Sequence, residues 1–114
     1  MDAMELILLY DYYGALLTER QRECFEMRYH QDLSLGEIGD ELGISRQGVH
    51  DNLSRTEALL QKMEAKTECV RRDLACRRAA RKIHALAQQF ADNDNREISD
   101  LARSILVELQ ELEE

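Results

Sequence analysis

The sequence has no proline, no tryptophan and only five glycines in 114 residues. Proline removes a backbone donor and clashes with the preceding turn, so its absence lets long helices persist. No apolar run approaches the roughly 18 residues that a membrane-spanning helix needs, and membrane insertion is not expected. The N-terminal stretch MDAMELILLYDYY carries Asp2 and Glu5 where a secretory signal would carry lysine or arginine, and its apolar patch is short. A cytoplasmic protein is the expectation. The cysteines, Cys24, Cys69 and Cys76, are odd in number and lack the close pairing of zinc ligands. They are expected to be reduced, mostly packed thiols, and no metal or other cofactor is expected. A glycine-rich phosphate loop and a nucleophile elbow are also missing. His30, His50 and His84 are far apart, and Glu37 with Glu41 reads as a pair of solvated carboxylates. These absences argue against an enzyme.

What is present is helical periodicity. Over residues 4–17, Leu6, Leu9, Tyr10, Tyr13, Leu16 and Leu17 recur at steps of three and four, one apolar stripe on a helix. Thr18 with Gln21 three residues on fits a capping box that opens a second helix over 19–30. Ser34 with Glu37 repeats the signal for a short third helix, whose buried face is Leu35, Ile38 and Leu42. Gly43 supplies the positive-φ residue that ends it, Ile44 turns inward, and Ser45 caps a fourth helix from Arg46. Val49, Leu53, Thr56, Leu60 and Met63 then continue at alternating steps of four and three, the heptad-like spacing of a packed seam. A break is expected near 65–67. Cys69 and Cys76, seven residues apart, are expected to share a seam with Met63 and Ile83. Asp92–Asn95 reads as a loop, and Ile98, Leu101, Ile105, Leu109 and Leu112 form a final stripe. No alternating apolar stretch calls for a sheet.

The fold class expected is therefore all-α. A helix-turn-helix domain over 1–64 is followed by a C-terminal helical extension over 65–114. The stripes at 49–63 and 98–112 look long for one small core, although packing within the chain would also satisfy them; a homodimer is expected.

In a helix-turn-helix, one helix braces a second whose exposed start can enter a groove or meet another macromolecule. The brace here falls to Ile38, Leu42, Ile44, Val49 and Leu53. The exposed candidates for contact with nucleic acid or a protein partner are Arg46, Gln47, His50, Asp51, Ser54 and Arg55. Arg46 suits guanine edges or phosphate, and Gln47 suits adenine edges. Asp51 does not suit phosphate. Charge is segregated: residues 1–57 sum to −7, 58–82 to +5 and 83–114 to −6. Lys62, Lys66, Arg71, Arg78 and Lys82 form a candidate basic patch for a phosphate backbone. Duplex affinity depends largely on phosphate neutralisation, which Glu37, Asp40 and Glu41 on the bracing helix oppose. DNA, RNA and protein all stay open as partners at this point.

Leu17-Thr18-Glu19-Arg20-Gln21, Leu33 to Ile38 and Ile44 to Val49 resemble region 4 of bacterial sigma factors. The fuller string, Tyr10-Asp11-Tyr12-Tyr13 and Ser45 to Asn52 followed by Arg55-Thr56-Glu57, resembles the YlxM family, small bacterial proteins associated with the signal recognition particle. The resemblance covers about residues 4–64. It implies a sigma region 4-like fold and an accessory or regulatory role in protein targeting, with the particle's protein or RNA as partner. Members are also described as DNA-binding. The family's serine-arginine-glutamine cap maps onto Ser45, Arg46 and Gln47, and its aspartate-asparagine onto Asp51 and Asn52. Gly48 and His50 depart from the alanine and tyrosine associated with those places.

Overall fold

A computed structural model of the chain describes residues 2–113. The described residues form six α-helices and no strand, in two compact units that divide after Val70.

The first unit opens with α1 (Ala3–Tyr13), capped by the Asp2 carboxylate, which accepts from the Glu5 amide at 2.8 Å. Leu6, Leu9, Tyr10 and Tyr13 form its buried stripe. The stripe does not run straight on to Leu17 as the spacing predicts. At Gly14 the backbone tightens into a 3₁₀ turn, Gly14–Leu16. Three residues per turn, in place of 3.6, change the phase of the following side chains. Leu16 is left 70% exposed, while Leu17, already extended, is buried. Gly14 also makes room for the Tyr10 ring, since a Cβ there would lie 3.1 Å from it. That ring stacks on Phe25 at 4.3 Å between centroids.

The capping boxes form as expected. Thr18 accepts from the Gln21 amide and Gln21 returns the bond to the Thr18 amide, which starts α2 (Glu19–Tyr29). Ser34 and Glu37 do the same for α3 (Leu35–Leu42), which ends at Gly43 with φ of 70°. Ser45 caps α4 (Arg46–Thr67).

Two apolar clusters result. Leu6, Leu9, Tyr10, Tyr13, Leu17, Phe25, Leu60 and Val70 make one. Cys24, Ile38 and Val49, with Leu33, Leu42, Ile44 and Leu53 packed around them, make the other. The start of α4 serves the second cluster and its middle serves the first. Val49, Thr56 and Leu60 are fully buried, and burying a side chain such as Leu60 stabilises by roughly 1.5–3 kcal/mol. Of the two ways to satisfy the 49–63 stripe, packing within its own unit is the one observed.

Helix α4 stops at Glu68, which takes the left-handed conformation with φ of 54°, just past the expected break. The Tyr13 hydroxyl donates to the Glu64 carboxylate at 2.5 Å and lies 2.5 Å from the Thr67 hydroxyl. The Val70 amide donates to the same carboxylate at 3.1 Å. Glu64 therefore ties α1 to both sides of the break.

The expectation for the cysteines needs correcting. Cys24 is buried, but Cys69 and Cys76 are exposed. Met63 packs on the first cluster, whereas Ile83 belongs to the second unit and is exposed. The four residues share a spacing but not a seam.

The second unit holds most of α5 (Cys69–Gln88) and all of α6 (Arg96–Glu113). Asn95 opens α6, its carboxamide oxygen accepting from the Glu97 amide at 3.0 Å. The Ser99 hydroxyl and the Arg103 guanidinium both donate to the Ala91 carbonyl, at 2.6 and 3.1 Å. Arg103 also pairs with Asp92 at 3.3 Å. Ala87, Ala91, Ala102 and Leu109 are buried.

Candidate functional site

The start of α4 is held out by the turn before it. Gly39 lies so close to that turn that an added Cβ would meet the Ile44 carbonyl oxygen at 2.7 Å. The Ile44 amide donates back to the Gly39 carbonyl at 3.0 Å. Only a glycine lets α3 sit on the backbone at this distance. The Ser45 hydroxyl then accepts from the Gly48 amide at 2.9 Å, which fixes where α4 begins.

With Val49 turned into the core, the opposite half of α4 faces outward. Gln47, His50, Asp51, Ser54 and Arg55 are on that half, Arg46 stands at the first position of the helix nearer the Val49 side, and all six are exposed. They do not act as six independent groups. Asp51 accepts from the Gln47 carboxamide at 3.0 Å and lies 3.6 Å from the His50 ring. One carboxylate thus engages Gln47, the side chain best suited to adenine. Arg46 and Arg55 make no hydrogen bond or ion pair among the described residues, and they flank this group.

A shallow recess adjoins the surface, lined by Thr18, Gln21, Gly48, Asp51, Asn52 and Arg55. The Asn52 carboxamide oxygen is buried there without a hydrogen-bond partner among the described residues. Thr18 and Gln21 are the residues that reasoning from sequence missed. Their capping signal was legible, but nothing local says that the first turn of α2 lies beside α4.

Charge around the surface is acidic on the α3 side. Asp40 and Glu41 are exposed. Glu37 bonds to Ser34, and this hydrogen bonding holds its carboxyl below the usual carboxylate range. Arg20 does not offset them freely, because its guanidinium reaches the Leu42 carbonyl at 3.4 Å and pairs with Glu23 at 3.7 Å. The candidate basic patch is divided by the break at Glu68. Lys62 and Lys66 stand exposed on α4, and Arg71, Arg78 and Lys82 stand exposed on α5 in the second unit.

Among the described residues, no group of three or more His, Cys, Asp or Glu side chains is placed to hold a metal ion. Among the described residues, no helix is long and apolar enough to cross a membrane. A short brace, a glycine turn against it and an outward-facing helix start define a helix-turn-helix protein.

The particular family follows from comparison. Residues 2–102 match the family model described as "UPF0122: Putative helix-turn-helix protein, YlxM / p13 like", and the chain belongs to that family. A UPF0122 protein of Thermoanaerobacter sp. (strain X514) is 56% identical over 71 residues, which is 62% of this chain and 61% of the relative. The chain thus spans about three fifths of that relative's length. One from Acetivibrio thermocellus is 47% identical over 79 residues, 69% of this chain and 68% of the relative. A third, from Bacillus cereus (strain AH187), is 37% identical over 97 residues, 85% of this chain and 87% of the relative.

Proposed function

We propose that this chain is a non-enzymatic accessory or regulatory protein of the signal recognition particle pathway, acting through the exposed start of α4. Family membership supports the regulatory or accessory role. The link to the particle rests on the resemblance of Tyr10–Tyr13 and Ser45–Asn52 to the YlxM pattern. The observation that carries the choice of partner is Asp51. It engages Gln47 and stands beside His50 on a surface that α3 borders with Asp40 and Glu41. Such a surface favours a partner bearing basic groups over a phosphate backbone, which repels unpaired carboxylates. The particle's protein component is the partner this chemistry suits. The basic side chains of α5, among them Arg71, Arg78 and Lys82, suit the particle's RNA.

The test is co-purification of the chain with the purified particle GTPase, its RNA and the assembled particle at low salt. Retention by the GTPase or the particle, lost on Asp51→Lys, is the expected result. No association with any of the three removes the reading.

A second reading, a DNA-binding transcription regulator, is favoured by Arg46 and Arg55, which flank the start of α4 with no partner among the described residues. It requires that a base edge displace Asp51 from Gln47. Selection from randomised duplexes is expected to return an enriched motif if this reading holds, and substitution of Arg46 would then relax its specificity. A folded protein that enriches nothing rejects it.

A further inference from the structure

In the second unit, the buried positions are mostly small residues and the large ones lie outside. On α5 and the turn after it, Ala87 and Ala91 are buried, whereas Ile83, Leu86 and Phe90 are exposed. On α6, Ala102 and Leu109 are buried, whereas Leu101, Ile105 and Leu112 are exposed, at 67%, 44% and 76%. The helices run antiparallel, since Ala80 shares one recess with Leu112 and Gln88 shares another with Leu106 and Gln110.

Helical phase decides on which side the exposed residues lie. The recess that His84 and Gln88 share with Leu106, Val107 and Gln110 marks one face of the hairpin. Ile83 and Leu86 point the other way from α5, and Leu101 and Ile105 point the same way from α6. Four large side chains thus share one apolar face, with Phe90 and Leu112 exposed near its two ends. Monomers rarely leave such a face open.

The two edges of this face carry opposite charge. Helix α5 has six basic side chains and one acidic, and α6 has two basic and five acidic. Beside the apolar face, Lys82 stands one turn before Leu86, and Arg78 one turn before Lys82. On the far edge, Glu97 stands one turn before Leu101, and Glu108 one turn before Leu112. Arg78, Lys82, Glu97 and Glu108 make no ion pair among the described residues.

We infer that this face is a homodimer interface, in which α5 of each copy lies against α6 of the other about a two-fold axis parallel to the helices. The pattern is self-complementary, as an isologous interface requires. Rotation about that axis lays the basic edge of one copy along the acidic edge of its partner. It also keeps levels along the hairpin, and the recesses place Lys82 level with the stretch of α6 that holds Glu108. The area fits. Two helices of five turns, roughly 30 Å long and 10 Å wide each, offer roughly 600 Å² per copy. A standard interface takes about 800 Å² per partner. The inference is independent of what the start of α4 binds, because it uses only the second unit.

Sedimentation equilibrium of the full chain tests it. A dimer is expected at roughly 50 µM, within the micromolar-to-tighter range that interfaces of this kind occupy. Leu101→Glu or Leu86→Glu should weaken association about tenfold or more while leaving helix content unchanged, because both side chains are exposed in the single copy. Glu108→Lys should weaken it, and adding Lys82→Glu should restore it. For the unmodified chain, raising salt from about 50 to about 500 mM should loosen the dimer as the charged edges are screened. A chain that stays monomeric overturns the inference, and so does capture of a foreign helix on this face without self-association. A dimer indifferent to Leu101→Glu overturns the interface. A double charge reversal weaker than either single one, or association that tightens with salt, overturns the α5-against-α6 arrangement.

Discussion

Gly36 and Gly39 stand one turn apart on α3, and the same substitution at each should move stability in opposite directions. Exchanging glycine for alanine in a helix gains roughly 0.8–1 kcal/mol from backbone entropy in an interior position. At Gly36 the new methyl finds only the Ser34 hydroxyl at 3.9 Å. That is ordinary contact, so most of the gain should appear, about 0.5–1 kcal/mol at this second helical position. At Gly39 the methyl meets the Ile44 carbonyl oxygen at 2.7 Å, and the Arg46 amide and Ser45 carbonyl carbon lie 3.6 Å away. Backbone cannot swing aside as a side-chain tip can, and overpacking of this kind costs about 1–3 kcal/mol or more. Gly39→Ala should therefore be a net loss of up to about 2 kcal/mol once the helical gain is subtracted. Urea unfolding followed by helix signal is the assay. The thermal midpoint should fall by roughly 4–8 °C per kcal/mol for a unit of this size. Gly39→Ala should also move the start of α4, so partner binding should weaken under conditions where the fold is intact. Equal stability of the two variants, or a gain at Gly39, would refute the claim that close contact with the turn sets the position of α4.

Other expected outcomes follow from single contacts. Ile38→Ala should cost about 2–5 kcal/mol, measured by chemical denaturation, because a fully buried side chain leaves a cavity in the smaller cluster. Ser45→Ala should cost about 1 kcal/mol by the same assay, through loss of the cap on the Gly48 amide. Tyr10 ionises at about 12, pushed up by burial and by its bond to Glu26, and Tyr13 is raised for the same kind of reason with Glu64. The folded state holds these protons more tightly than the unfolded state. Their contribution is therefore complete below about pH 10, the ordinary tyrosine value, and declines as pH rises toward 12. An ultraviolet titration should show Tyr10 and Tyr13 ionising late, and Tyr10→Phe should flatten the alkaline loss of stability. Cys69 and Cys76 should react with a thiol reagent in the native protein while Cys24 should not, as mass spectrometry of the labelled chain would show.

The module around Arg46 was legible because its signals are local. Thr18 with Gln21, Ser34 with Glu37, Gly43 and Ser45 each specify a helix end within three residues, and all four features form. The exposure of Leu16 was not legible, because it depends on a change of winding at Gly14 that favours the Tyr10 ring. The fate of the 49–63 stripe was hidden for another reason. Heptad spacing states which residues share a face, not whether α1 or a second copy covers it. Cys69 and Cys76 fail similarly: seven residues apart is a relation within α5, while burial is a relation to something else. At the start of α4, sequence picked out the six exposed side chains. It did not reveal that Asp51 engages Gln47, since rotamers are chosen by neighbours and not by spacing.

One helix, α4, furnishes side chains to both apolar clusters of its unit, with Val49 in one and Leu60 in the other. Neither cluster can melt while the other stays whole, so the unit should open all at once, and the amides between those two residues should exchange with deuterium only through complete unfolding. For the tip that carries Arg46 this has a practical meaning. A change there that abolishes association without altering deuterium uptake farther along the rod has removed a touching atom, and has not loosened the platform beneath it.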